Sequence, residues 1–163
     1  MIANNLYTID DIKRKKKIIT AINKFKHSKV LDIGCGSGFI TEAINTDFVM
    51  GIDADPIVIK QLSRTNQNKH TYVMGDFTIA DVFKDFPTFD MIVMTGILYR
   101  QYIENKESIV LTNVDKVLEH NGYLILCHIE NWAYIKFPYK LVEWDLFDYG
   151  KYYQKIEVYQ KIC

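Results

Sequence analysis

The run Val30-Leu31-Asp32-Ile33-Gly34-Cys35-Gly36-Ser37-Gly38-Phe39 constrains this chain more than any other stretch of it. An apolar segment passes into three alternating glycines and then resumes, which reads as a buried strand running into a tight turn that opens a helix. Glycines at that density let the main chain approach a bulky ligand where any Cβ would collide, so the run is a nucleotide-binding turn. Its spacing, Gly34-x-Gly36-x-Gly38, differs from the G-x-G-x-x-G of dinucleotide folds, where the glycines seat a pyrophosphate on a helix N-terminus. The turn also carries an acid, Asp32, just ahead of its first glycine. A carboxylate there repels a pyrophosphate and suits a ligand that bears an ammonium group.

Around this turn the hydrophobic pattern alternates between two periods. Residues 10–25 place Ile12, Ile18, Ile19 and Ile22 among lysines, the spacing of a helix with one apolar face, and Thr8 or Asp10 stands where a cap is needed. A strand over 29–33, a short helix over 39–45 and a second strand over 48–52, closed by Asp53, follow. Pro56 suits the first turn of a helix that runs to Thr65. Residues 71–74 form a third strand ending at Gly75-Asp76-Phe77, and a short helix over 79–83 leads to a fourth strand over 89–94. That strand is almost wholly apolar, as one covered on both faces should be. A helix over 107–119, stopped by Asn121-Gly122, precedes a fifth strand over 123–128. Residues 141–147 and 152–160, separated by Asp148-Tyr149-Gly150, are too closely joined to be anything but antiparallel. The expected fold is a Rossmann-like three-layer α/β/α sandwich, its sheet mostly parallel with a C-terminal antiparallel hairpin.

A chain of 163 residues, 48% of them hydrophobic, suits one domain with a single good core. That domain divides into an N-terminal helical segment (1–28), a ligand-binding core (29–130) and an aromatic segment with the terminal hairpin (131–163). Twenty basic residues balance twenty acidic ones, so no global field recruits nucleic acid or an anionic membrane. The run 13–17, four lysines and Arg14, reads as a solvated helix face, with an anion-binding patch as the alternative. Cys35, Cys127 and Cys163 lack C-x-x-C spacing and are read as reduced thiols, with no metal expected. No stretch has the apolar length of a signal peptide or a membrane span, and a cytoplasmic protein is expected, as monomer or homodimer.

The glycine run resembles motif I of the class I S-adenosylmethionine-dependent methyltransferases, a D/E-x-G-x-G-x-G turn that holds the methionine moiety of the cofactor. The resemblance implies S-adenosylmethionine as cofactor, with S-adenosylhomocysteine as product, and gives Asp32, Gly34, Gly36 and Gly38 that role. Asp53, about twenty residues beyond the turn, stands where an acid accepts hydrogen bonds from both ribose hydroxyls. The following residue, Ala54, is implied to lie against the adenine. Gly75-Asp76-Phe77 matches motif III, where the acid accepts from the adenine amino group and Phe77 offers its ring beside the base. Thr95-Gly96 matches the place where backbone nears the sulfonium. Acids and glycines also occur at strand ends simply because turns need them, but here four positions agree in order.

Methyl transfer from a sulfonium is an in-line displacement whose barrier falls mainly by positioning and exclusion of water, so a strong base is optional. The segment after the fourth strand lacks the Asn/Asp-Pro-Pro-Tyr/Phe pattern of adenine-N6 methyltransferases, and no Pro-Cys pair supplies a nucleophile for cytosine chemistry. The small-molecule branch remains. Gly96-Ile97-Leu98-Tyr99, with His128 after the fifth strand, resembles the NodS-like N-methyltransferases, which implies a small-molecule amine as acceptor. Tyr99 is the candidate to orient the amine and His128 the candidate to take its proton; helix packing and a structural hydrogen bond are the competing readings. Glu130 either pairs with a cationic substrate or is solvated. Trp132, Tyr134, Phe137, Tyr139 and Trp144 form either a lid whose ring faces attract an amine or a core beneath the hairpin. Three rival functions stand beside this one: methylation of RNA or protein with the lysine-rich helix as docking face, a non-catalytic partner subunit, and a dehydrogenase.

Overall fold

A computed structural model describes residues 7–65 and 70–162, and the Cys163 thiol therefore lies outside the described residues. Helix α1 (Ile9–Asn23) starts at Thr8, not Asp10. Thr8 and Asp11 form a reciprocal capping box, Asp11 N–H donating to Thr8 Oγ1 at 3.1 Å and Thr8 N–H to Asp11 Oδ2 at 2.9 Å. The glycine turn follows β1 (Lys29–Ile33). After β2 (Phe48–Asp53), Pro56 opens helix α2 (Pro56–Thr65) as expected. Strands β3 (Thr71–Met74) and β4 (Phe89–Thr95), helices α3 (Arg100–Ile103) and α4 (Glu107–Val117), and strands β5 (Leu118–Ile129), β6 (Lys140–Tyr149) and β7 (Tyr152–Gln160) complete the chain.

The sheet runs β3-β2-β1-β4-β5-β7-β6. The first five strands are parallel, and β7 is antiparallel to both of its neighbours. The chain steps outward from β1 to β3 and then returns to lay β4 on the other side of β1, so strand order reverses there and opens a crevice beyond the strand ends. One face buries Leu31, Ile33, Ile92, Met94, Leu124 and Leu126 beneath α3 and α4. The other buries Val30, Val49, Met91, Val93 and Ile125 with Ile18 and Ile22 of α1. Both faces of the central strands are thus dry, which is why their sequence is nearly continuously apolar.

Several expectations need correction. The helix over 39–45 is a single 3₁₀ turn, Thr41–Ala43, because Thr41 turns its hydroxyl inward to Asp32 and the chain extends again at Ile44. No helix forms over 79–83; successive turns do, and Asp81, at φ 58°, breaks any helical path. The helix over 107–119 stops at Val117, where Lys161 Nζ donates to Leu118 O at 3.0 Å and to Asp115 O at 2.6 Å. Asn121-Gly122 is therefore no helix stop but an irregularity inside β5, tied to the chain's far end by Asn121 N–H donating to Lys161 O at 2.7 Å. The hairpin turn is Gly150-Lys151, since Asp148 and Tyr149 still pair with β7; Gly150 at φ 65° provides the twist that a two-residue hairpin turn requires. Helix α3 has too few residues to show a period, so no sequence pattern announces it.

The basic face of α1 is a seam rather than a purely solvated surface. Lys17 pairs with Asp145 at 2.7 Å, Lys24 pairs with Glu143, and Lys13 Nζ donates to Asp148 O at 3.1 Å, so three lysines meet the outermost strand, β6. No helix of the described residues is long and apolar enough to cross a membrane.

Candidate functional site

At the carboxyl ends of β1 to β4 lies a cleft of about 340 Å³. Gly34, Asp53, Ala54, Asp76 and Phe77, all singled out from the sequence, line it. So do Gly75, Thr78, Gly96, Ile97 and Tyr102. A larger groove, about 460 Å³, runs between α1 and β6, but the Lys17 and Lys24 ion pairs cross it.

Each wall of the cleft is set by a local device. Gly34, at φ 72°, sends its N–H to Ile52 O at 2.8 Å, and a Cβ there would stand 2.7 Å from Ile97 Cγ2, so this turn is closed to other residues. Gly36, at φ 51°, faces open space: a Cβ on it would meet nothing within 4 Å. Its N–H donates to Asp53 Oδ2 at 2.9 Å, while Asp55 N–H donates to Asp53 Oδ1 at 3.0 Å. Asp53 is thereby held rigidly at the rim, each oxygen keeping acceptor capacity for a ligand. Gly38 packs on α2, where a Cβ would stand 2.9 Å from Leu62 Cδ2.

Asp76 Oδ1 accepts the N–H of Thr78 at 2.9 Å and its hydroxyl at 2.7 Å, which curls the loop after β3. Behind that loop Asn113 of α4, 1% exposed, donates to Phe77 O at 3.0 Å and Ile79 O at 2.8 Å. Asn113 thus holds the main chain that presents Asp76 and Phe77. Its signal was in the sequence: it falls among Val110, Val114 and Val117 on the apolar face of α4, where a polar residue needs partners.

Asp32, Thr95, Tyr99 and His128 do not line the cleft. Asp32 lies beneath the glycine turn, 1% exposed, with Thr41 Oγ1 donating to its Oδ2 at 2.5 Å. Its Oδ1 is buried without a hydrogen-bond partner. Burial pushes the carboxyl up to about 7, against the pull of the Thr41 hydrogen bond and helped by the negative charge of Asp53. Thr95 ends β4 one residue short of Gly96. Tyr99 accepts the N–H of Ile129 on its hydroxyl at 3.1 Å, and burial raises its pKa, so it keeps its proton. Burial likewise raises Cys35, which makes that thiol inert.

His128 is 3% exposed, with Nδ1 2.9 Å from Ile129 O and Nε2 2.8 Å from Glu157 Oε2. Both ring nitrogens face acceptors, and neither is left to take a proton from a substrate. The hydrogen bond from His128 holds Glu157 down at about 2. This arrangement is the structural hydrogen bond at a strand end, not a base in a pocket.

The aromatic stretch divides. Phe137 is core, and Trp144 stands 60% exposed on β6, away from the cleft. Trp132 instead sets its ring edge-on to Tyr99 at 6.0 Å and lies 5.5 Å from Tyr152. Tyr99 in turn lies 6.3 Å from Tyr102, which lines the cleft. Among the described residues no group of His, Cys, Asp and Glu side chains is arranged to hold a metal ion.

Comparison with known proteins agrees with this geometry. The family described as methyltransferase domain matches residues 24–159. An uncharacterized methyltransferase of Schizosaccharomyces pombe is 30% identical over 118 residues, 69% of this chain. The chain spans 44% of that relative's length. The N-methyltransferase NodS of Bradyrhizobium japonicum, solved with S-adenosylhomocysteine, matches with a TM-score of 0.78 at 18% identity, covering 98% of this chain and 91% of that one. A TehB-like methyltransferase of Corynebacterium glutamicum matches with a TM-score of 0.69 at 21% identity, covering 90% of this chain and 86% of that one. At these identities the structural likeness is one of fold.

Proposed function

The chain belongs to the methyltransferase-domain family, and on that premise we propose that it transfers a methyl group from S-adenosylmethionine to a small molecule, at an amine nitrogen. The observation that carries the cofactor reading is the pairing of Asp53, fixed by two main-chain N–H groups, with open space over Gly36 that no side chain fills. The residues fit the ligand's parts. Asp53 offers two carboxylate oxygens to the ribose hydroxyls, Asp76 and Phe77 offer an acceptor and a ring to the base, and the buried carboxyl of Asp32 offers negative charge to the ammonium. Bound there, S-adenosylmethionine supplies an electrophilic methyl group on a sulfonium.

The chain's own contribution is orientation and the exclusion of water. Gly96 and Ile97 bring main chain and an apolar side chain to the end of β4, and from Tyr102 in the cleft wall a row of rings continues to Tyr99 and Trp132. Ring faces attract an amine or ammonium, which supports a nitrogen acceptor. Tyr99, neutral and anchored to Ile129, has its own O–H to donate and orients a substrate rather than deprotonating it. With both nitrogens of His128 engaged, amines arrive deprotonated from solvent, and no base is required. NodS being an N-methyltransferase agrees with this reading.

Calorimetric titration with S-adenosylmethionine and S-adenosylhomocysteine tests the cofactor, and a transfer assay over a panel of amines tests the acceptor. Micromolar binding of both is expected, with Asp53→Ala about 10- to 100-fold weaker because two charge-assisted hydrogen bonds are lost. Unchanged affinity in that variant removes Asp53 from the site. Cofactor binding without transfer to any amine rejects the acceptor assignment alone.

A further inference from the structure

Three separate stretches at one end of the sheet contribute rings to a single row. Tyr99 and Tyr102 come from the segment after β4, Trp132 from the segment after β5, and Tyr152 from the start of β7. Neighbouring ring centres lie 6.3 Å apart from Tyr102 to Tyr99, 6.0 Å from Tyr99 to Trp132 and 5.5 Å from Trp132 to Tyr152. Hydrogen bonds tie these stretches to one another. Tyr134 N–H donates to Leu98 O at 2.8 Å, Glu130 N–H to Tyr153 O at 2.8 Å, and Ile129 N–H to the Tyr99 hydroxyl at 3.1 Å. The row is therefore organised in advance of any ligand. Tyr102, Trp132 and Tyr152 nonetheless stay 53%, 50% and 46% exposed, an open face of adjoining rings of the kind that marks a binding surface. Its Tyr102 end is in the wall of the cleft.

The groups around the row decide which nitrogen it suits. Both nitrogens of His128 are engaged, Glu157 is paired with His128 and Lys155, and Tyr99 keeps its proton, so none of them takes one from an acceptor. The fixed charge that acts on Tyr99 is a cation: Arg14 reaches the tip of β4, its Nη1 3.8 Å from where a Cβ of Gly96 would stand. Glu130 is the one acid in 130–139, and a carboxylate is too weak a base to deprotonate an alkylammonium. An alkylamine whose pKa is near that of lysine, ~10.4, is neutral in fewer than about one molecule in a thousand at pH 7. An aromatic ring nitrogen such as that of imidazole, at ~6.5, is mostly neutral there.

We propose that the acceptor is a planar heteroaromatic amine, uncharged at neutral pH, whose ring stacks on the row from Tyr102 to Tyr152 and whose ring nitrogen takes the methyl group. The nitrogen lone pair forms the new N–C bond as the C–S bond breaks. The electron pair of the broken bond stays on sulfur, leaving neutral S-adenosylhomocysteine, and the positive charge passes to the ring nitrogen. No proton has to leave. A neutral acceptor also brings no second cation beside the sulfonium and Arg14, and ring faces stabilise the charge as it arrives on nitrogen. This rests on the amine reading above and narrows its substrate class.

Three two-ring compounds separate the features: isoquinoline, whose ring nitrogen is neutral at pH 7; 2-naphthylmethylamine, which keeps the rings but carries an alkylammonium; and decahydroisoquinoline, saturated and charged. Equilibrium dialysis with S-adenosylhomocysteine present reads binding, and a transfer assay with S-adenosylmethionine reads the reaction. Isoquinoline is expected to bind at least about fivefold more tightly than decahydroisoquinoline, and Trp132→Ala to weaken it about 5- to 100-fold, the range for one ring removed from a stack. Trp144, 60% exposed on β6, is outside the row, and Trp144→Ala is expected to bind isoquinoline as wild type does. At saturating cofactor, transfer to isoquinoline is expected to be level from pH 7 to pH 9. Isoquinoline held no more tightly than decahydroisoquinoline, or equally well by Trp132→Ala, overturns the proposal. Should Trp132→Ala fail to fold, the comparison of ligands on wild-type protein decides alone. Faster transfer to 2-naphthylmethylamine at pH 7 assigns Glu130 to pairing with an ammonium and overturns the proposal while the amine reading stands. Transfer to none of the three rejects the amine reading and the proposal with it. Failure to bind S-adenosylhomocysteine overturns the cofactor reading itself.

Discussion

At the scale of the residue, Asp32 is a carboxyl with one hydrogen bond, one unpartnered oxygen and almost no contact with water. Burial raises it to about 7, so near neutrality it is part protonated. A ligand that carries positive charge into the cleft favours the ionised form, so binding below pH 7 expels a proton. Affinity for S-adenosylmethionine is therefore expected to rise from pH 6 to pH 8, by up to about tenfold per unit of pKa displaced. Calorimetry in buffers of different ionisation enthalpy measures the proton released, and Asp32→Asn is expected to remove both effects. Stability runs the other way. The folded carboxyl, at about 7, holds its proton more tightly than the unfolded one, at 3.8, so the native state binds more protons between those values and loses stability as pH rises through them. A pH-independent affinity would take Asp32 out of the ligand's field.

At the scale of the element, the loop after β3 has no helix of its own, and its shape depends on α4. Two carbonyls, those of Phe77 and Ile79, end on the amide of Asn113. Asn113→Leu keeps the volume of the side chain but leaves Phe77 O without its donor and Ile79 O with only the Val82 N–H at 3.3 Å, at a cost of about 1–3 kcal/mol by the usual penalty for a lost partner. Thermal melts are expected to show that loss. Titration with adenosine-containing ligands is expected to show a weaker affinity beyond it, since Asp76 and Phe77 move with the loop. A variant that melts lower but binds as wild type restricts Asn113 to a packing role. The same loop shows why the expected helix over 79–83 fails: its main chain closes only three-residue turns, Asp81 leaves the helical region at φ 58°, and Ile79 O is shared with Asn113 of α4.

At the scale of the whole molecule, the two ends of the chain build one wall together. α1 lies against the terminal hairpin through Lys13, Lys17 and Lys24, and through Tyr149 on Asp11. Exposed pairs of this kind add little stability each, but they occupy charges that a polyanion would need. Mobility-shift titration with single-stranded and transfer RNA at physiological salt is expected to show no complex at micromolar protein. Binding that falls steeply with added salt would instead favour a polynucleotide acceptor. The central strands, the glycine turn and the acids beyond β2 and β3 were legible in the residues, because each depends on local pattern: an apolar run, a glycine spacing, a carboxylate at a strand end. So was the antiparallel hairpin, although its turn is shifted by two residues. Tertiary structure alone decided the rest. His128 looked like a base because its chain position ends β5, and only the fold reveals Glu157 beside one nitrogen and Ile129 O beside the other. Arg14 looked like one cation in a run of five, and only the docking of α1 across the sheet brings it to Gly96. Local pattern determines which segments become strands and where their ends lie. Which side chains meet over those ends depends on contacts between residues far apart in the chain, and no periodicity encodes them.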